Sequence, residues 1–182
     1  MRQEIEVKAK VNDLEILKQK LVALGCVLSE PLIQNDITFV NHDESYDKLL
    51  PGENILRIRK SNDKILFTVK QSLSNELACF EREVEINSAE EMKEAILLMG
   101  YHEVVRINKQ RIRTDYNGYE ICLDEVENLG SFIEIEKLTE GEDESLVQAE
   151  LNKLLLVWGV NESDFVTHGY DTLIYLAQNS NN

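Results

Sequence analysis

Glu4, Glu6, Lys8 and Lys10 stand at every second position near the start of the chain, with Ile5, Val7 and Ala9 between them. A side-chain period of two predicts a β-strand with one apolar face and one charged face. Two acids followed by two bases on one face can hold a divalent cation beside a phosphate. Carboxylate oxygens suit a hard cation, and basic side chains suit a phosphate anion. The same division recurs along the chain. Arg57 and Arg59 oppose Leu56 and Ile58, and Thr68 and Lys70 oppose Ile65, Phe67 and Val69. Glu81, Glu83 and Glu85 alternate with Val84 and Ile86, and Lys109, Arg111 and Arg113 line one side of a long arm. Asp124 opposes Ile121 and Leu123, and Glu134 and Glu136 oppose Ile133 and Ile135.

A sheet wet on one face alternates in the same way. The clustering of one sign of charge argues for something more. Like charges two residues apart on a strand are ~6.6 Å apart and repel by ~0.6 kcal/mol in water, but by ~2.5 kcal/mol at an effective dielectric near 20. An enclosed interior keeps such rows only with counterions. Acid pairs there call for a divalent cation and base pairs for a polyanion, and a metal-bound polyphosphate supplies both.

The elements that must position these residues are strands with a few helices between them. After the first strand, Asn12 or Asp13 can cap a helix with the stripe Leu14, Leu17, Leu21 and Leu24, stopped by Gly25. Strands are expected near 34–41, 55–60, 65–71 and 79–87, with 42–52 as a loop or hairpin connection. Ser88 and Glu91 form a capping box that opens a helix closed by Gly100. Further strands are expected over 104–116, 119–126 and 131–138, the first two joined by Asn117-Gly118, a hairpin signal. Helices are expected over 144–158 and 170–178, and 179–182 reads as a disordered tail behind a single domain spanning 1–178. Glu4-Ile5-Glu6 with its helix ending at Gly25, and Glu83-Val84-Glu85 with its helix ending at Gly100, read as an internal echo. For about eight antiparallel strands, such a pseudo-twofold predicts a closed or nearly closed barrel.

Composition narrows the function. Lys plus Arg is 19 against Asp plus Glu of 34 in 182 residues, a net charge of −15, which opposes binding to nucleic acid or to an anionic membrane. The sequence lacks an apolar run of membrane-spanning length and a signal-peptide core, so a cytoplasmic place is expected. Cys26, Cys79 and Cys122 are odd in number and widely spaced, as idle buried thiols would be. His42, His102 and His168 fall outside the charged motifs, and Tyr170 and Asp171 read as structural. Apolar outer faces leave room for a homodimer.

Glu4-Ile5-Glu6-Val7-Lys8 resembles the N-terminal ExExK signature of the CYTH, or triphosphate tunnel metalloenzyme, superfamily. The resemblance continues through Leu56-Arg57-Ile58-Arg59, Phe67-Thr68-Val69-Lys70, Arg82-Glu83-Val84-Glu85, Lys109-Gln110-Arg111, Ile121-Cys122-Leu123-Asp124 and Phe132-Ile133-Glu134-Ile135-Glu136. It implies an α+β fold, an eight-stranded antiparallel closed barrel with helices packed outside, acting on a triphosphate with Mg²⁺ or Mn²⁺. Carried over by position, Glu4, Glu6, Glu134, Glu136 and Asp124 are expected on the metal side. Lys8, Arg57, Arg59, Lys70, Lys109 and Arg111 are expected as catalytic, phosphate-binding bases, with Arg113, Glu83 and Glu85 as further substrate-side residues. The stretch 121–136 is most similar to the class IV adenylyl cyclase branch, which makes cyclic AMP and pyrophosphate from ATP. Hydrolysis of thiamine triphosphate or tripolyphosphate is the alternative on the same scaffold, and a noncatalytic polyphosphate binder is a third.

Overall fold

The opening alternation forms β1 (Gln3–Val11). Seven long strands follow: β2 (Leu32–Val40), β3 (Asn54–Ser61), β4 (Lys64–Ser72), β5 (Ala78–Ile86), β6 (His102–Tyr116), β7 (Tyr119–Val126) and β8 (Gly130–Thr139). The helices are α1 (Leu14–Ala23), α2 (Ala89–Leu98), α3 (Glu144–Val157) and α4 (Tyr170–Asn179), and a short β9 (Phe165–Val166) precedes α4. This computed structural model describes residues 2–41 and 51–179. Most of the loop expected over 42–52, with His42, lies outside them, as do residues 180–182 of the expected tail. Asn179 belongs to α4 rather than to that tail.

Neighbouring strands are antiparallel in the order β5-β4-β3-β2-β6-β7-β8-β1. The register Glu4↔Cys79 and Ile5↔Ala78 returns β1 to β5 and closes an eight-stranded barrel. Where β1 runs on past β5, β9 takes the open edge through Lys8↔Val166 and Ala9↔Phe165. Local chemistry fixes the joints. The Asp13 carboxylate accepts from the amides of Glu15 and Ile16 at 2.9 and 3.3 Å, and Ser88 Oγ accepts from Glu91 N at 3.2 Å. Asn117 and Gly118 take φ of 53° and 84°, the pair of left-handed residues a tight hairpin needs.

Outward residues of β1, β7 and β8 (Ile5, Val7, Ala9, Leu123, Ile133 and Ile135) pack in one cluster with Leu17 and Leu21 of α1 and Leu151 and Leu155 of α3. Phe39, Leu56 and Ile58 meet Ile96 of α2. The last helix does something different. Tyr170 and Ile174 pack on Val105, Ile107, Val126 and Phe132, which share the strand face of Lys109, Asp124 and Glu134. So α4 lies across one end of the barrel. No described helix is long and apolar enough to cross a membrane. Leu151 is fully buried in the α1–α3 layer. Leu151→Ala is expected to cost about 2–5 kcal/mol, read as a lower urea midpoint at unchanged slope.

The two halves of the barrel repeat. β5 begins 75 residues after β1 (Ala78 against Gln3) and α2 begins 75 after α1 (Ala89 against Leu14). Gly25 and Gly100, at φ of 90° and 89°, keep that spacing. Past the loop, β7 begins 65 residues after β3 and β8 begins 66 after β4 (Tyr119 against Asn54, Gly130 against Lys64). The pairings obey the same twofold: β1–β8 answers β5–β4, β2–β3 answers β6–β7, and β1–β5 and β2–β6 cross the axis. The echo is therefore real, but its expected register is off by four residues. Glu6 corresponds to Glu81 and Glu4 to Cys79, because helix lengths and closing glycines set the alignment, whereas Glu-x-Glu recurs on several strands.

Candidate active site

The inward faces enclose a cavity of 860 Å³ bordered by residues of all eight long strands and by Tyr170 and Asp171 of α4. Its charges form four groups. On β6, β7 and β8, Arg111 binds Asp124 in two-pronged fashion (Nε to Oδ1 2.7 Å, Nη2 to Oδ2 2.5 Å) and also donates to Glu134. Lys109 Nζ lies 3.3 Å from Asp124 Oδ2. Lys8 Nζ lies 3.2 Å from Glu134 and 3.2 Å from Glu6. On the twofold-related strands, Arg59 binds Asp36 in the same way, at 2.7 and 2.6 Å. On β3, β4 and β5, Arg57 reaches Glu81 at 3.1 Å and Glu83 at 3.3 Å, and Lys70 Nζ lies 2.6 Å from Glu81.

The fourth group is acidic. Glu4, Glu6 and Glu136 each bring a carboxylate oxygen within 4.8 Å of the others. Burial raises the Glu136 carboxyl well above the usual range, and nearby Glu4 raises it further against the pull of Arg111. Burial also raises Glu4, although Lys70 pulls it down. For Glu4 and Glu136 the surroundings oppose the ionised form, and a further cation among the carboxylates would favour it. An all-oxygen, partly buried donor set suits a hard divalent cation, which takes carboxylate ligands.

The expected residues separate by position. Glu4, Glu6 and Glu136 meet, whereas Glu134 stands between Arg111 and Lys8. Burial pushes the Glu134 carboxyl up, but Arg111 and Lys8 hold it well below the carboxylate range. Asp124 is fully buried and faces Arg111 and Lys109 rather than the three acids. Lys8, Arg57, Arg59, Lys70, Lys109, Arg111, Arg113 and Glu83 all border the cavity. Arg113 does so from a half-exposed position, 3.6 Å from Glu120. Glu85 does not: it stands exposed beside Lys64 at 3.4 Å, where β5 approaches its end. The three cysteines are buried and free, and Cys79 borders the cavity with its thiol pushed up to about 12 by burial.

Three participants lie outside the expected site set. Asp36 and Glu81 carry the ion pairs of Arg59, Arg57 and Lys70; the period of two puts Glu81 on a charged face without giving it a role, and it would have found Asp36, which shares the inward face of Thr38. Tyr170, read as structural, borders the cavity with its ring 4.4 Å from Lys8 Nζ and 4.8 Å from Lys109 Nζ. Nothing local to Tyr170 signals this, because the chain folding α4 back over the barrel end makes the contact.

With this geometry in hand, comparison with known proteins places the chain. The CYTH domain family matches residues 2–170. A Methanocaldococcus jannaschii protein named as a candidate adenylate cyclase is 26% identical over 170 residues, covering 92% of this chain and 95% of that one. A solved protein of Pyrococcus horikoshii is 30% identical, covers 94% of this chain and 97% of its own, and superposes with a TM-score of 0.76. A candidate adenylyl cyclase from Hippeastrum, its structure described as revealing a dominant triphosphatase activity, shares the fold at 17% identity and a TM-score of 0.60, with 93% and 91% covered. Barrel, inward charges and sequence agree: the chain is a member of the CYTH domain family.

Proposed function

We propose that the protein is a metal-dependent enzyme that cleaves a small triphosphate, with water as the attacking group. The observation that carries this is the joint presence, around one cavity, of a three-carboxylate cluster and a row of buried cations. Glu4, Glu6 and Glu136 would hold Mg²⁺ or Mn²⁺, which when bound supplies charge neutralisation at phosphate oxygens. The chain supplies the rest. Asp36 and Asp124 fix Arg59 and Arg111 through Nε and Nη2, so the guanidinium edge left for phosphate is already oriented and little reorganisation is needed. Lys8 and Lys109 add point charges beside Tyr170 at the end covered by α4. Most described residues bordering the cavity are charged, and the ring of Tyr170 already faces two ammonium groups. That lining suits an inorganic triphosphate or one with a small organic group better than a stacked purine.

Cyclisation of ATP is the second reading, favoured by the name of the M. jannaschii relative and by the 121–136 stretch. It needs the same electrostatics and differs in the nucleophile, a ribose hydroxyl attacking the α-phosphorus. Purified protein incubated with tripolyphosphate, thiamine triphosphate or ATP, with Mg²⁺ or Mn²⁺, separates the readings. Orthophosphate release supports hydrolysis, cyclic AMP with pyrophosphate supports cyclisation, and tight binding without product defeats both in favour of a noncatalytic binder.

Lys109 gives this site a pH signature. Burial, then the Arg111 guanidinium, lowers its ammonium to about 8, against the opposing pull of Asp124. An unfolded lysine titrates near 10.4. Between those values the unfolded chain binds the extra proton, so this group's contribution to stability rises with pH while its phosphate-binding charge disappears. Calorimetric affinity for tripolyphosphate is expected to weaken roughly tenfold above pH 8, the size of one charged hydrogen bond. Lys109→Arg should remove that pH dependence.

A further inference from the structure

The twofold gives the acidic cluster a counterpart in the other half of the barrel. By the 75- and 66-residue spacings, Glu6 corresponds to Glu81, Glu4 to Cys79 and Glu136 to Lys70. An ammonium therefore stands where the first cluster has its third carboxylate. Lys70 Nζ lies 2.6 Å from Glu81 Oε2 and 3.7 Å from Glu4 Oε1. Glu4, Cys79 and Glu81 bring their ligand atoms within 4.8 Å of one another, the same limit met by Glu4, Glu6 and Glu136. Glu4 belongs to both sets because it sits on the β1–β5 seam, which the twofold axis crosses.

Two adjacent donor sets sharing one carboxylate are the framework of a two-metal centre, whose ions stand about 3.5–4 Å apart. In this chain one set already holds a cation of its own. Lys8 and Arg111 do reach the first set, at 3.2 Å from Glu6 and 3.7 Å from Glu136, but both are also bound to Glu134. Lys70 has its short contact inside the second set.

We propose that Lys70 is a built-in substitute for a second metal ion, and that its ammonium limits the free enzyme to one divalent cation. The proposal rests on the reading of Glu4, Glu6 and Glu136 as the metal-holding set. A divalent ion between Glu4, Cys79 and Glu81 would have to displace Lys70 or tolerate its half-buried ammonium beside it. Lys70→Gln removes that charge, releases Glu4, and leaves Glu81 Oε2 open while Arg57 keeps its contact with Oε1. The Cys79 thiol beside them is one that a soft cation can deprotonate and bind.

The test is ion stoichiometry without any phosphate. Titrated with Mn²⁺ and followed by the paramagnetic resonance of free Mn²⁺, the unaltered protein and Lys70→Arg should each take up one ion, and Lys70→Gln two. With Cd²⁺, Lys70→Gln should show thiolate-to-cadmium charge-transfer absorption in the ultraviolet, lost when Cys79→Ser is added. Lys70→Met asks the same question if the glutamine variant does not fold. Two ions in the unaltered protein, or one ion in the Lys70 variants with no cadmium absorption, overturn the proposal while leaving the first metal set standing. No Mn²⁺ uptake by the unaltered protein refutes the first set, and the proposal with it.

Discussion

Glu136→Gln is expected to lower metal-dependent turnover of the preferred triphosphate by about 10²–10³, the size of losing one preorganised electrostatic partner, and to weaken Mn²⁺ binding in parallel. The same change should raise the thermal midpoint of the metal-free protein. The sign follows from the direction of the shift. Burial, then Glu4, holds the Glu136 carboxyl well above its unfolded range. At neutral pH the folded state therefore either takes up a proton or bears the repulsion, and glutamine relieves it. Calorimetry of the metal-free variant and turnover at saturating Mn²⁺ check the two halves separately. A variant that keeps its turnover removes Glu136 from the metal set.

Asp124→Asn should have the largest effect on stability, about 3–5 kcal/mol by urea unfolding, because it leaves Arg111 and Lys109 as buried cations short of an anion. Glu134 remains beside Arg111 and softens the loss without replacing it. Tripolyphosphate should restore part of the lost stability, since a bound polyanion supplies the missing charge to the folded state alone. The acid limb of the stability profile gives a second check. Burial raises Asp124, but Arg111 and Lys109 together hold it below its ordinary range. The stability it contributes is therefore present above the unfolded carboxylate value and lost as pH falls through the lower folded one. The asparagine variant should lack that limb.

Much of the architecture was legible because the barrel imposes one rule, a period of two, on every long strand. That rule alone puts Arg57, Arg59, Lys109 and Arg111 on one surface. It also put Glu85 there, and failed because β5 carries that residue out beside Lys64, which no periodicity records. Asp36 follows the rule but stands alone, without the doubled charge that marked the other strands. Tyr170 and β9 depend on contacts between distant parts of the chain. The division of the acids into a cation-hungry trio and a set of guanidinium partners was out of reach for the same reason. Glu134 and Glu136 are two residues apart and both near Arg111, yet Glu134 also meets Lys8 whereas Glu136 meets Glu4 and Glu6.

The seam between β1 and β5 has a consequence for how the chain is made. Of the eight long strands β1 is made before the others, but its full-length partner is β8, through pairs such as Glu6↔Glu136, and β5 offers it only two rungs. Until β8 is made, β1 thus awaits its mate, the kind of late, long-range join that slows folding. Its charged side keeps the nascent edge from sticking to other chains until β8 arrives, so the residues that serve the finished cavity also guard the unfinished one.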